Sequence, residues 1–144
     1  MIHSKHKGNL GSSATIKELH KLKYAVFTEL GDLSKVDLIA EKSGKTIRIQ
    51  VKYVDDSDGL ARLYVIKKGP NGYRYKYKSS DIDLFSVYLP KRDKVIFIPS
   101  KIACKCKSQY TIRLKPCKNN QSSKINDVSQ FEDLQKILDT ISMG

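Results

Sequence analysis

The apolar positions of the chain open with a helical period. Leu10, Ala14, Ile16, Leu19 and Leu22 recur at helix-like spacing through residues 9–23, with polar residues between them, which predicts a helix with one buried stripe. The period then shortens. Tyr24 to Glu29 and Lys35 to Glu41 are short runs rich in strand formers, and Ser43-Gly44-Lys45 is a turn leading into Thr46 to Val54, where apolar and polar residues alternate. Alternation at two residues predicts strands joined in a hairpin. After the turn cluster Asp55 to Gly59 come Ala61 to Lys67 and Tyr73 to Lys78, joined by Lys68-Gly-Pro-Asn-Gly72, a reversal that predicts a second hairpin. Asp83 to Leu89, Lys94 to Ile98 and Tyr110 to Leu114 read as further strands, and residues 115–124 as a polar loop. Val128, Phe131, Leu134, Ile137, Leu138 and Ile141 fall on one helical stripe that closes the chain. The expectation is a single α/β (α+β) domain over residues 1–144, with an N-terminal helix, a β-rich middle and a C-terminal helix.

Composition adds a partner to this outline. The 144 residues, 40% of them apolar, suffice for one ordinary core. The 27 lysines and arginines against 15 acidic residues leave a formal charge of +12, which repels itself unless a polyanion neutralises it. Nucleic acid is the leading partner, although ribosome-associated and membrane-surface proteins share such a balance. No stretch approaches the roughly 20 apolar residues of a membrane span, and Met1-Ile-His-Ser-Lys-His-Lys7 has no apolar segment behind it, so an intracellular protein without a membrane association is expected. Cys104 and Cys106 are too close for an unstrained disulfide, and with Cys117 they fall short of the four ligands of a structural zinc site. His3 and His6 lie in a terminus expected to fray, and His20 belongs to no ligand pattern.

The candidate chemistry sits in the first hairpin. Along Thr46 to Val54, Ile47, Ile49, Val51 and Tyr53 share one side while Arg48, Gln50 and Lys52 share the other. A hairpin closed at Ser43-Gly44 sets Asp37 near Gln50. A carboxylate, an amide and an ammonium then converge. Asp37, the Gln50 amide oxygen and the Val51 carbonyl could ligate a hard divalent cation, and Lys52 could orient or help deprotonate an attacking water and stabilise charge on a phosphate. The plainer alternative is that Asp37 caps a turn while Gln50 and Lys52 decorate a solvated strand face.

These residues carry a family resemblance. Lys7-Gly8 at a helix start, Gly31-Asp32, Val36-Asp37 and Gln50-Val51-Lys52 resemble the pattern of PD-(D/E)XK nucleases, most closely the small group I intron-associated homing endonucleases. Asp81 to Tyr88, Val95 to Pro99 and Ile112 to Pro116 are similar to that group's later strands, so the resemblance spans residues 7–135. It implies a restriction-endonuclease-like core, a Mg²⁺ cofactor with Mn²⁺ as a substitute, and cleavage of double-stranded DNA at a specific site. It also implies a homo-oligomer, dimer or tetramer, because one protomer has one centre and a duplex has two strands.

Two positions depart from the pattern. Gln50 stands where the superfamily usually has an acid, and it keeps an oxygen ligand. Ser12 stands where many members carry a first-helix glutamate. Glu18 lies about 240° around the helix from it, which leaves Asp32 and Glu29 as replacements to consider. Two other readings follow: a Holliday-junction resolvase, which usually keeps a glutamate where Gln50 stands, or a catalytically weakened DNA-binding protein of the same fold. A ribosome-associated RNA binder is a third. Tyr73, Tyr75 and Tyr77 alternate with Arg74, Lys76 and Lys78, so one face of the second hairpin is expected to be aromatic and the other cationic, and Arg62, Lys67 and Lys68 in the same hairpin join them as expected DNA-binding residues; the alternative there is tyrosines packed on the core and solvated cations.

Overall fold

The computed structural model describes residues 3–31, 33–115 and 126–142. The first helix, α1 (Ser4–Lys21), begins upstream of its expected start because the His3 ring caps it, Nδ1 accepting from the Lys5 N–H at 3.2 Å. His6 is therefore helical. The inward row is Gly11, Thr15 and Leu19, whereas Leu10 is 43% exposed. The apolar stripe read from sequence was rotated because the residue nearest the sheet is a glycine. A Cβ at Gly11 would meet Val51 Cγ1 at 3.0 Å, so the missing side chain lets the helix backbone lie close against the strand.

Strands β1 (Ala25–Thr28), β2 (Leu38–Lys42) and β3 (Lys45–Tyr53) form an antiparallel meander. The β2–β3 register runs from Leu38 opposite Ile49 to Lys42 opposite Lys45, as the turn predicted. Ser43 and Gly44 close it at φ 54° and 81°, the left-handed pair that matches strand twist in a two-residue hairpin. Asp37 lies just before β2 rather than inside a strand that starts at Lys35.

The second hairpin differs from its expected form. Ala61 to Lys67 splits into β4 (Leu60–Tyr64) and β5 (Ile66–Lys68), and only β5 pairs with β6 (Arg74–Lys76). At the break, Val65 is buried, its N–H donating to the Ser108 carbonyl and its own carbonyl accepting from the Tyr77 N–H. The strands β7 (Leu84–Leu89) and β8 (Lys94–Pro99) follow, then a short helix α2 (Ser100–Ala103), β9 (Gln109–Arg113) and α3 (Leu134–Ser142). β4 pairs with β9, so buried Ala61 and Leu63 lie across from Ile112 and Tyr110. No local pattern announces a partner that distant in sequence.

The five-stranded sheet has the order β1-β2-β3-β7-β8, and β3–β7 is its parallel pair. Every residue of β7 is buried, as expected of a strand covered on both faces. On the α1 side, Thr15 donates to the Gly11 carbonyl and pairs with the Ser86 hydroxyl of β7. The closing stripe is divided: Val128–Phe131 is a 3₁₀ turn whose Phe131 ring meets Tyr110 edge-on, and α3 begins only at Leu134. Among the described residues no helix is long and apolar enough to cross a membrane. The sheet is mixed, with a helix at each end of the chain, as the resemblance implied.

Candidate active site

β3 positions the site. The Asp37 N–H donates to the Ile49 carbonyl at 2.9 Å, and its carboxylate Oδ2 accepts from the Val51 N–H at 2.8 Å. The hairpin thus delivers Asp37 to the strand segment predicted for it. In an extended chain the N–H and C=O of one residue face the same edge, so the Val51 carbonyl faces the Asp37 side. Even-numbered neighbours turn the other way: the Arg48 carbonyl accepts from Asp83, and the Val54 N–H donates to Tyr88.

Gln50 and Lys52 share the opposite face from Val51. Gln50, in register with Phe85 of β7, is 7% exposed, and its amide makes no hydrogen bond to the described residues. Lys52 extends its ammonium to Tyr77, donating to the phenol oxygen at 3.2 Å and lying 4.7 Å from the ring centroid. The Tyr77 ring in turn stands edge-on to Phe85. Burial lowers the Lys52 pKa, the nearby Lys67 charge lowers it further, and Asp37 opposes both. Burial also raises the Tyr77 phenol, so its hydroxyl keeps its proton. The solvated-face reading of Gln50 and Lys52 fails here, because one is buried and the other half-buried.

Tyr77 was missed as a site residue by sequence reasoning. Its only signal was the alternation of Tyr73, Tyr75 and Tyr77, and that pattern does not rank them. The structure does: Tyr73 is 74% exposed, Tyr75 is half-buried and Tyr77 is 1% exposed.

Of the replacements considered for a first-helix acid, Glu29 is engaged elsewhere. Glu29 uses both carboxylate oxygens on the Leu33 and Ser34 N–H groups and so holds its own loop together. Glu18 pairs with Lys21 at 3.3 Å. Ser12 is half-buried beside Gly11, and Asp32 lies outside the described residues. Two ion pairs brace the same sheet region. Arg48 forks onto Asp83 and also donates to the Ser80 carbonyl, and Lys35 reaches Asp81 at 3.1 Å with its ammonium over the Tyr75 ring.

The expected cationic ribbon is redistributed by the true register. Lys68, Arg74 and Lys76 share one face of β5–β6, but Lys67 stands opposite Tyr75 on the aromatic face, toward Lys52. Arg62 is not in this hairpin at all. It lies on β4 opposite Thr111 and donates to Ser57, because β4 pairs with β9. Lys78 lies past β6, where its carbonyl accepts from Asp81. Cys104 and Cys106 are free thiols, and Cys117 lies outside the described residues. Among the described residues no three His, Cys, Asp or Glu side chains cluster.

The structure brings the Asp37 carboxylate onto the Val51 N–H, close enough to Lys52 for its charge to act on the ammonium, and a carboxylate beside a main-chain carbonyl is the oxygen chemistry that suits a hard divalent cation. The sequence profile of a family described as PD-(D/E)XK endonuclease matches residues 2–134. Among solved structures, the chain is similar to a bacterial homing endonuclease, I-Ssp6803I. The TM-score is 0.77, with 16% sequence identity over 99% of this chain and 97% of that one, a likeness of fold. A search of curated proteins gave no match.

Proposed function

This chain belongs to the PD-(D/E)XK endonuclease family, and from that premise we propose that it is a divalent-metal-dependent endonuclease cutting double-stranded DNA at a specific site. One observation carries the reading. The Asp37 carboxylate is bonded to the main-chain N–H of Val51, the residue between Gln50 and a half-buried Lys52, an arrangement that supports a carboxylate and an ammonium acting at one centre.

In this reading Asp37, the Gln50 amide oxygen and the Val51 carbonyl hold Mg²⁺, with Mn²⁺ as a substitute. When bound, the ion supplies a Lewis acid that polarises the phosphate and acidifies a water. Lys52 places positive charge where the phosphate develops negative charge, and orients the water opposite the leaving 3′ oxygen. Gln50 coordinates without adding charge. Lys68, Arg74 and Lys76 on one ribbon face suit the phosphate backbone, while Lys67 adds charge on the site's side. Arg62 and Lys78 would touch DNA only as outlying contacts. Site specificity is supported by the likeness to a homing endonuclease, and a homo-oligomer, dimer or tetramer, by the need to cut two strands with one centre per protomer.

Ser12 favours a second reading, a DNA binder of the same fold with weakened catalysis. Incubating a population of supercoiled plasmids carrying randomised inserts, so that the recognised site is represented, with the protein and Mg²⁺ or Mn²⁺ separates the two. The endonuclease nicks or linearises it, stops on chelation, and loses activity in Lys52→Ala. Retention of DNA affinity without cutting by either protein would establish the binder.

A further inference from the structure

We infer that Tyr77 is a positioning residue for Lys52, holding the lysine ammonium at the site by its hydroxyl oxygen and its ring face together. The inference rests on the endonuclease reading for its consequence, but its geometry stands by itself. Lysine is a poor choice for a fixed charge, since its flexible four-carbon stem loses rotamer freedom when it is held in place. Here the ammonium has a defined seat, 3.2 Å from the phenol oxygen and 4.7 Å from the ring centroid.

The seat is itself rigid. The Tyr77 N–H donates to the Val65 carbonyl at 2.8 Å, and its ring stands edge-on to Phe85 on β7 and to Tyr75. Phe85 is the register partner of Gln50, so tyrosine and lysine are referenced to the same two strands. The hydroxyl that accepts from Lys52 is one end of a side chain that is 1% exposed, so its place is fixed by the packing around it. Tyr77 also fills core volume, and a packing role alone would need only its ring. The hydroxyl on Lys52 is what distinguishes positioning from packing.

Tyr77→Phe keeps the ring and deletes the hydroxyl, and Tyr77→Leu deletes both. The ammonium is followed by NMR on protein labelled with ¹⁵N-lysine, its signal identified by its loss in Lys52→Met. The expected result is that Lys52 Nζ is ordered in the native chain, less ordered in Tyr77→Phe and mobile in Tyr77→Leu. Single-turnover cleavage falls roughly tenfold in Tyr77→Phe, while DNA affinity and the unfolding midpoint stay close to native; a tenfold change is what a displaced, still present charge produces. Unchanged ammonium order in both variants overturns the inference, and so does lost order with unchanged cleavage. If the native chain cuts no DNA, the endonuclease reading falls while the ammonium order still decides whether Tyr77 holds Lys52.

Discussion

Replacing Lys52 with methionine should raise stability while abolishing cleavage. The variant loses the hydrogen bond to the Tyr77 hydroxyl, at about 1 kcal/mol, and the ammonium-on-ring contact, at about 1 kcal/mol. It regains the desolvation of a half-buried ammonium, at about 2 kcal/mol, and buries an unbranched apolar chain of similar length, at about 1 kcal/mol. The balance is about 1 kcal/mol in favour of methionine. The lowered Lys52 pKa has the same sign, since burial and the Lys67 charge make the folded surroundings less hospitable to the ammonium than water is. For a chain of this size, 1 kcal/mol moves the unfolding midpoint up by roughly 3 °C. Thermal unfolding in chelator gives the stability, and plasmid cleavage with Mg²⁺ gives the activity, expected to fall more than about a hundredfold. A fall in midpoint of a few degrees would refute the reasoning, because the Tyr77 contacts would then outweigh desolvation. Retained cleavage would remove Lys52 from the chemistry.

Gly11→Ala gains about 1 kcal/mol of helix propensity but drives a methyl against Val51, and overpacking of that kind costs more than the gain. Urea midpoints should show net destabilisation, and Gly11→Ala with Val51→Ala should be more stable than the two single effects summed. Burial would raise the Asp83 carboxyl, but the Arg48 hydrogen bonds and charge outweigh it and hold it below the usual range. A depressed carboxylate contributes stability above its unfolded pKa that is lost as pH falls through the folded value. The advantage of the native chain over Asp83→Asn, about 1 kcal/mol at neutral pH for a half-exposed pair, should therefore shrink below about pH 4; an advantage constant from pH 7 to pH 2 would contradict this. Lys68→Ala with Arg74→Ala should lower the slope of log affinity against log salt by about 2, measured by fluorescence anisotropy on duplex DNA. An unchanged slope would take that ribbon face off the DNA.

What the sequence disclosed was local. The β2–β3 register followed from a two-residue turn and strict alternation, and Asp37 arrived at Val51 as that register required. The errors arose where partners are distant. Ala61 to Lys67 looked continuous because its alternation is continuous, yet Ala61 and Leu63 face Ile112 and Tyr110 of β9, and Val65 marks the change of partner. That mistake carried Arg62 into the wrong hairpin. In α1 the misreading was one of size: apolar scoring gives weight to Leu10 and none to Gly11, although the close approach belongs to the glycine. Tyr77 was hidden for a related reason, since three alternating tyrosines look equivalent until tertiary packing buries one of them beneath Lys52.

The proposed site also has an unusual charge balance. With Gln50 in place of an acid and Ser12 uncharged, the side chains of the described residues around Val51 contribute one carboxylate, Asp37, against Lys52 and the field of Lys67. Before any ion binds, these three groups sum to one positive charge, so a divalent cation arriving alone meets net repulsion, strengthened by the burial of Gln50 and Lys52. A DNA phosphate reverses the sign, because it brings a negative charge and an oxygen ligand to the place where Lys52 already favours an anion. In the proposed reading ion and substrate would each improve the other's binding, a coupling that thermodynamics requires to be reciprocal. The glutamine and serine need not mark decay. They fit a centre that becomes complete only on DNA, in which the protein supplies one charge and a rigid frame and the scissile phosphate supplies the remaining negative charge.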